Sequence, residues 1–249
     1  MQYFVPDLRL PADVDDRSLP GEKLGGRPEG LPRNAWPKCK ECGKSQSLLA
    51  QFRHHPMRLD LGREGRVLFV FQCAHRPGLC STWEGGSGAN ACFVIEPEEL
   101  TQNTSEQPSD TPPEDNEVCI VRWHARDDRL PAGLIQSFFD DEKHDALSDR
   151  IRDAVTWNTR LGGFPSWIQN PSEAPSLAEG WKFVGQLDST YSFLVAPSTV
   201  PQWVSIDSRR WEGRSHIGEG PAFGDAGIAY LFLRATQSVP EGWFFWQCG

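Results

Sequence analysis

Leu161-Gly162-Gly163-Phe164-Pro165-Ser166-Trp167-Ile168-Gln169 has a partial copy earlier in the chain, Leu24-Gly25-Gly26-Arg27-Pro28. Each copy precedes an apolar run holding one Gln: Leu48-Leu49-Ala50-Gln51-Phe52 after the first, Phe183-Val184-Gly185-Gln186-Leu187 after the second. A Gly and an aromatic-rich strand then follow, Gly65-Arg66-Val67-Leu68-Phe69-Val70-Phe71 in one case and Gly227-Ile228-Ala229-Tyr230-Leu231-Phe232-Leu233 in the other. Gly25 to Gln51 is 26 positions and Gly162 to Gln186 is 24. Two copies fall short of the three repeats a solenoid needs. The pattern instead points to an internal duplication with two related β-rich halves. The expected class is α+β, mostly β, with antiparallel sheets.

In chain order, residues 1–20 are rich in Pro and Asp without a period and read as an N-terminal arm. Residues 21–95 form the expected first half, with strands at Leu48–Phe52, Val67–Cys73 and Asn90–Ile95. Residues 96–117 carry eight acids, no Lys or Arg, and Pro108, Pro112 and Pro113, the composition of a flexible linker. The second half, 118–249, restarts with Val118–Trp123. One main helix is expected near 141–158, where Leu147, Ile151, Ala154 and Val155 recur at helical spacing; Gly162 could then cap its C-terminus. Short strands follow at Trp181–Leu187, Ser192–Val195, Trp203–Asp207, Gly227–Ala235 and Trp243–Gln247.

The linker's acids account for eight of the nine net negative charges, so the remainder of the chain is near neutral. That argues against a broad basic face for phosphate contacts, and no nucleic-acid partner is expected. No apolar run is long enough to span a membrane. Met1–Asp7 lacks a basic region followed by an apolar core, so a cytoplasmic location is expected.

Seven cysteines in such a chain point to metal binding or free thiols before disulfides. Cys39, Cys42, Cys73 and Cys80 are the candidate ligands. Cys39-x-x-Cys42-Gly43 is a knuckle from which two thiolates can grip one ion, and a second pair would complete a tetrahedral zinc shell. The spacing departs from a standard ribbon, with 30 residues between Cys42 and Cys73 and six between Cys73 and Cys80. Reduced thiols and a redox pair are the alternatives, with His75 as a substitute ligand and Cys92 as an outside one. Four thiolates leave no open position, so such a zinc is structural.

Gln51 and Gln186 at matching places could present their amides to a ligand, or bond backbone left unpaired where Gly25-Gly26 and Gly162-Gly163 break the ladder. Among ten tryptophans, Trp36, Trp83, Trp167, Trp203 and Trp211 are candidates to line a groove for an extended peptide; each could equally be a core residue. No Gly-x-Ser-x-Gly, His-Glu-x-x-His or Gly-x-x-x-x-Gly-Lys occurs. Asp188 and Asp225 could form a carboxylate pair, although Gly224-Asp225-Ala226-Gly227 also reads as a turn. His54, His55, His124, His144 and His216 stand apart.

Taken together, Leu161–Gln169, Val184-Gly185-Gln186-Leu187-Asp188, Phe223-Gly224-Asp225-Ala226-Gly227 and Trp243-Phe244-Phe245-Trp246-Gln247-Cys248 resemble the YwqG-like family of uncharacterised bacterial proteins. The first half adds Cys39-x-x-Cys42-Gly43, Leu49-Ala50-Gln51 and the strand ending at Cys73. This arrangement is similar to the eukaryotic programmed cell death protein 2 family. The YwqG-like closing motif has an Asp where this chain has Gln247. The resemblance implies a duplicated, mostly β protein that binds another protein, as a dedicated chaperone or an immunity protein. Strand addition or extended-peptide capture at an aromatic-lined surface between the halves is the expected mechanism. A hydrolase using Asp or His residues of the second half is the alternative.

Overall fold

The computed structural model describes residues 1–15, 20–76, 78–112, 116–193, 200–206 (backbone only at 205 and 206) and 216–249. The strands are β1 (Gln2–Arg9), β2 (Lys23–Leu24), β3 (Ser47–Arg53), β4 (Val67–Gln72), β5 (Asn90–Ile95), β6 (Val118–Asp127) and β7 (Arg160–Gly162). Then come β8 (Trp181–Asp188), β9 (Thr190–Phe193), β10 (Val204–Ile206), β11 (His216–Glu219), β12 (Ile228–Arg234) and β13 (Glu241–Gln247). Among the described residues, ten of them close a barrel in the order β1-β6-β2-β3-β4-β5-β13-β12-β8-β7, while β10-β11-β9 form a small separate sheet. All the pairings are antiparallel.

Leu68 and Val70 of β4 and Ala229, Leu231 and Leu233 of β12 pack into one central cluster with Leu24, Ala50, Leu161, Leu187 and Phe244. The alternate residues of the same strands are also buried. Val67, Phe69 and Phe71 lie with Leu31 and Trp36, and Ile228, Tyr230 and Phe232 lie with Phe138, Phe164 and Trp167. A strand covered on both faces favours apolar residues on both, which is why Val67–Phe71 of β4 and Ile228–Leu233 of β12 are continuous apolar runs.

Four expectations need correction. The N-terminal arm begins instead with β1, which pairs with β6 along its whole length and with β7 at Tyr3 and Phe4. Pro6 obscured it, but Pro6 lies beyond the β7 pairing and next to a register shift at Asp7/Leu8, where a missing N–H is tolerated. The helix near 141–158 is two short pieces, α2 (Asp141–Asp145) and α3 (Asp149–Arg152), preceded by a third, α1 (Ile135–Phe138). Asp140 caps α2 through the Lys143 N–H (3.0 Å), and Ser148 in an extended conformation interrupts the path to α3. Gly162 therefore caps no helix; it ends β7. The acidic stretch, where described, lies along the first half: Thr104 bridges Glu29, and the buried Ser105 donates to the Leu31 carbonyl (2.7 Å).

β1 and β6 each sit beside the second strand of the other half, β1 next to β7 and β6 next to β2. The pairings around those strands match. Lys23 faces Gln51 and Leu24 faces Ala50; Arg160 faces Gln186 and Leu161 faces Gly185. Gln51 in turn faces Phe69, and Gln186 faces Tyr230; the register skips one residue beside each, at Leu49 and at Val184. No helix among the described residues is long and apolar enough to cross a membrane.

Both glutamine amides are fully buried and tie down the Gly-Gly turns. Gln51 Oε1 accepts from the Glu29 N–H (2.8 Å) and its Nε2 donates to the Gly21 carbonyl (2.6 Å). Gln186 Oε1 accepts from the Ser166 N–H (3.0 Å) and its Nε2 donates to the Asn158 carbonyl (3.0 Å). Replacing either by Leu leaves a buried N–H and C=O unpaired. Gln51→Leu and Gln186→Leu should each cost about 2–4 kcal/mol in urea unfolding; a loss below about 1 kcal/mol for both would show that the turns are held by other means.

Candidate functional site

The knuckle that begins at Cys39 closes on itself. Cys39 N–H donates to the Lys44 carbonyl (2.8 Å), and Gly43 N–H returns to the Cys39 carbonyl (2.9 Å). Gly43 has φ +73°, and a Cβ there would touch nothing, so glycine is required by backbone conformation and not by space. The second pair arrives from β4. Cys73 follows its last residue and donates to the Ala89 carbonyl (2.8 Å), and Cys80 donates to the Arg76 carbonyl (3.2 Å). Glu41 joins the two parts by accepting from the Ser81 N–H (2.8 Å).

The four Sγ atoms lie within 4.8 Å of one another, with Cys42 and Cys73 at 3.6 Å. A tetrahedral ion with metal–sulfur bonds of about 2.3 Å sets its sulfurs about 3.8 Å apart. The donor set therefore fits a metal ion, and all seven cysteines are free thiols. Cys39, Cys73 and Cys80 are buried and Cys42 is half-buried. Burial pushes the Cys73 thiol up to about 11 and Cys80 higher still. At Cys42 burial also raises the pKa, but the Lys44 backbone and the neighbouring thiols outweigh it and lower the value. Neither His75 nor Cys92 belongs to the cluster.

The tryptophan set does not assemble. Trp36 and Trp167 are each only 8% exposed; Trp36 donates to the Gln46 carbonyl (2.9 Å) and Trp167 to the Phe138 carbonyl (2.6 Å). Both serve as covers on β4 and β12, where the outward aromatic residues demand a lid. Trp203 packs on Tyr191 and Phe193 of the small sheet, and Trp211 lies outside the described residues. Trp83 alone of the described four is exposed, and it meets the edge of Trp246 with ring centres 6.3 Å apart. Gln247 accepts from the Gln169 N–H (3.2 Å) and donates to the Asn170 carbonyl (2.7 Å), a local brace.

Sequence reasoning missed two features. The first is a buried cation in each Gly-Gly turn. Lys23 Nζ donates to the Arg27 carbonyl (2.6 Å) and pairs with Glu117 (3.1 Å). Arg160 donates to the Phe164 carbonyl and pairs with Asp128 (3.2 Å). A basic residue immediately before each Leu-Gly-Gly was the available signal. The second is the seam between β5 and β13. These strands share one residue pair, Phe93 with Glu241, whereas β4–β5 pairs over six and β12–β13 over seven. Further along, Trp246 N–H reaches only the Trp83 carbonyl (3.3 Å). A slot of 430 Å³ opens beside the knuckle, lined by Lys38, Lys40, Gln46, Cys92, Phe93 and Trp243 among others; Trp83 and Trp246 are not part of that lining.

The carboxylate pair does not form a common site. Asp225 is exposed in its turn. Asp188 accepts from the Thr190 N–H (2.7 Å) and hydroxyl (2.8 Å), and burial raises its pKa. It lines a 480 Å³ cleft with His124, Arg126 and Trp157. His54 Nδ1 accepts from the Leu61 N–H (3.0 Å), and His144 is buried against Phe138, which lowers its pKa. A scan against protein-family models matches none, and a search of curated proteins finds no significant match.

Metal analysis of the purified chain should find about one ion per molecule, with none in the Cys39→Ser/Cys73→Ser double variant. An ion held at a hundredfold excess over its dissociation constant contributes about 2.7 kcal/mol. Its loss should therefore lower Tm by about 5–10 °C in a protein of this size. Unchanged metal content and Tm in the double variant would remove the site.

Proposed function

We propose that this protein binds another protein by capturing an extended segment at the β5–β13 seam, and that zinc at the four thiols holds one wall of that seam. The observation that carries this is the seam itself: β5 and β13 share one residue pair, fewer than any other neighbouring strands of the barrel among the described residues, and Phe93 and Trp243 line the slot beside it. An extended segment supplies the backbone partners that separated strands lack, while neighbouring side chains give selectivity. The tryptophan that matters is Trp83, with Trp243 and Trp246 of β13 in place of Trp36 and Trp167.

Zinc suits the four-sulfur donor set better than harder cations, which prefer oxygen. Free thiols agree with a reducing compartment such as the cytoplasm. The matching registers around Gln51 and Gln186 support an origin by internal duplication. The likeness to the YwqG-like and programmed cell death protein 2 families favours an immunity or dedicated-chaperone role.

A second reading has its own observation: Asp188 and His124 share one cleft, as a hydrolase of the second half would require.

Crosslinking and affinity capture from the source cell, with wild type against Trp83→Ala, tests the main proposal. One protein should be enriched by wild type and reduced about tenfold by Trp83→Ala, since exposed Trp at interfaces carries large binding energy. Equal capture by both, or none by either, argues against it. Hydrolase activity abolished by Asp188→Asn would move the assignment to the cleft.

A further inference from the structure

The slot at the β5–β13 seam has a chemical character of its own. Gln46 is 1% exposed and lines it. Its Nε2 donates to the Gly88 carbonyl (3.0 Å), which fixes the orientation of the amide. Its Oε1 then has no partner among the described residues. A buried acceptor left unpaired is costly, so this atom is suited to a donor supplied from outside.

Lys38 and Lys40 lie at the rim, both exposed, and neither is paired with an acid among the described residues. Their placement depends on the thiols, because Lys38 and Lys40 flank Cys39. Lys40 N–H donates to the same Gly88 carbonyl (3.0 Å) that receives Gln46. Cys80 anchors the start of the 81–88 loop that carries Gly86 and Gly88 into the slot wall. On a chain of net charge −9, two unpaired lysines beside an unpaired acceptor form a distinct local environment.

We infer that the slot takes an extended acidic peptide segment of the partner, with a backbone N–H donating to Gln46 Oε1 and carboxylates meeting Lys38 and Lys40. This rests on the protein-binding proposal and gives it a site and a chemistry. An extended segment turns alternate side chains to opposite faces. Acidic residues alternating with apolar ones would place carboxylates at the lysine rim and apolar groups against Phe93 and Trp243. Because the lysines, Gln46 and the loop are all attached to the thiol cluster, binding requires the metal.

The test is fluorescence anisotropy on the metal-loaded full chain, with a fluorescein-labelled Glu-Val-Glu-Val-Glu-Val-Glu peptide and its Lys-for-Glu counterpart. The acidic peptide should bind at least about tenfold more tightly than the basic one and weaken as salt rises. The Lys38→Glu/Lys40→Glu variant, altered only at exposed positions, should lose or invert that preference. Gln46→Leu should weaken binding about fivefold while circular dichroism and Tm report whether the fold persists. Equal binding of the two peptides, no binding of the acidic one, or a preference unchanged by charge reversal overturns the inference. If Trp83-dependent partner capture persists in the charge-reversed variant, the acidic-slot inference fails alone. If no partner is captured and neither peptide binds, both fall.

Discussion

A buried amide reaching into a tight turn, with a buried cation beside it, is the arrangement on which the barrel depends. In each half, Lys23 or Arg160 donates to the carbonyl four residues on, and Gln51 or Gln186 holds the N–H six residues on. Between these anchors the chain passes through two glycines with positive φ, Gly25 and Gly26 in one turn and Gly162 and Gly163 in the other. A Cβ at Gly25 would strike the Asn116 carbonyl oxygen at 2.1 Å, and one at Gly163 the Asp128 carboxylate at 2.8 Å. The turns must be glycine for both conformation and contact.

Those contacts come from the segments flanking β6. The chain just before it touches the first turn, and Asp128, just after it, pairs with Arg160 of the second. Burial raises the Asp128 carboxyl and lowers the Arg160 guanidinium, so each charge persists because the other faces it. Removing one partner would leave the other stranded, the costly case for a buried pair. The same geometry sets β1 beside β7 and β6 beside β2, so strands far apart in sequence close the barrel together.

The four thiols do for one edge what the turns do for the two ends. They tie the knuckle before β3 to the end of β4 and the loop beyond it, at the side of the barrel where β5 and β13 barely meet.

Local chemistry alone determined much of this molecule. Apolar runs marked β4 and β12, because a strand buried on both faces favours apolar residues and admits a polar one only where it finds hydrogen-bond partners, as Gln51 does in β3. The paired Gly-Gly and Gln signals marked the turns, and Cys-x-x-Cys-Gly marked the knuckle, since each depends on residues close in sequence. The tertiary structure alone decided what distant segments do together. Pro6 concealed a strand whose partners lie more than a hundred residues away. Helical spacing from Leu147 to Val155 did not keep one helix running, because Ser148 is extended and α3 ends at Arg152. Trp36 and Trp167 became lids because outward aromatic residues on other strands needed covering. Gln46 and the slot lined by β5 and β13 have meaning only when two remote strands are set side by side, which no local pattern encodes.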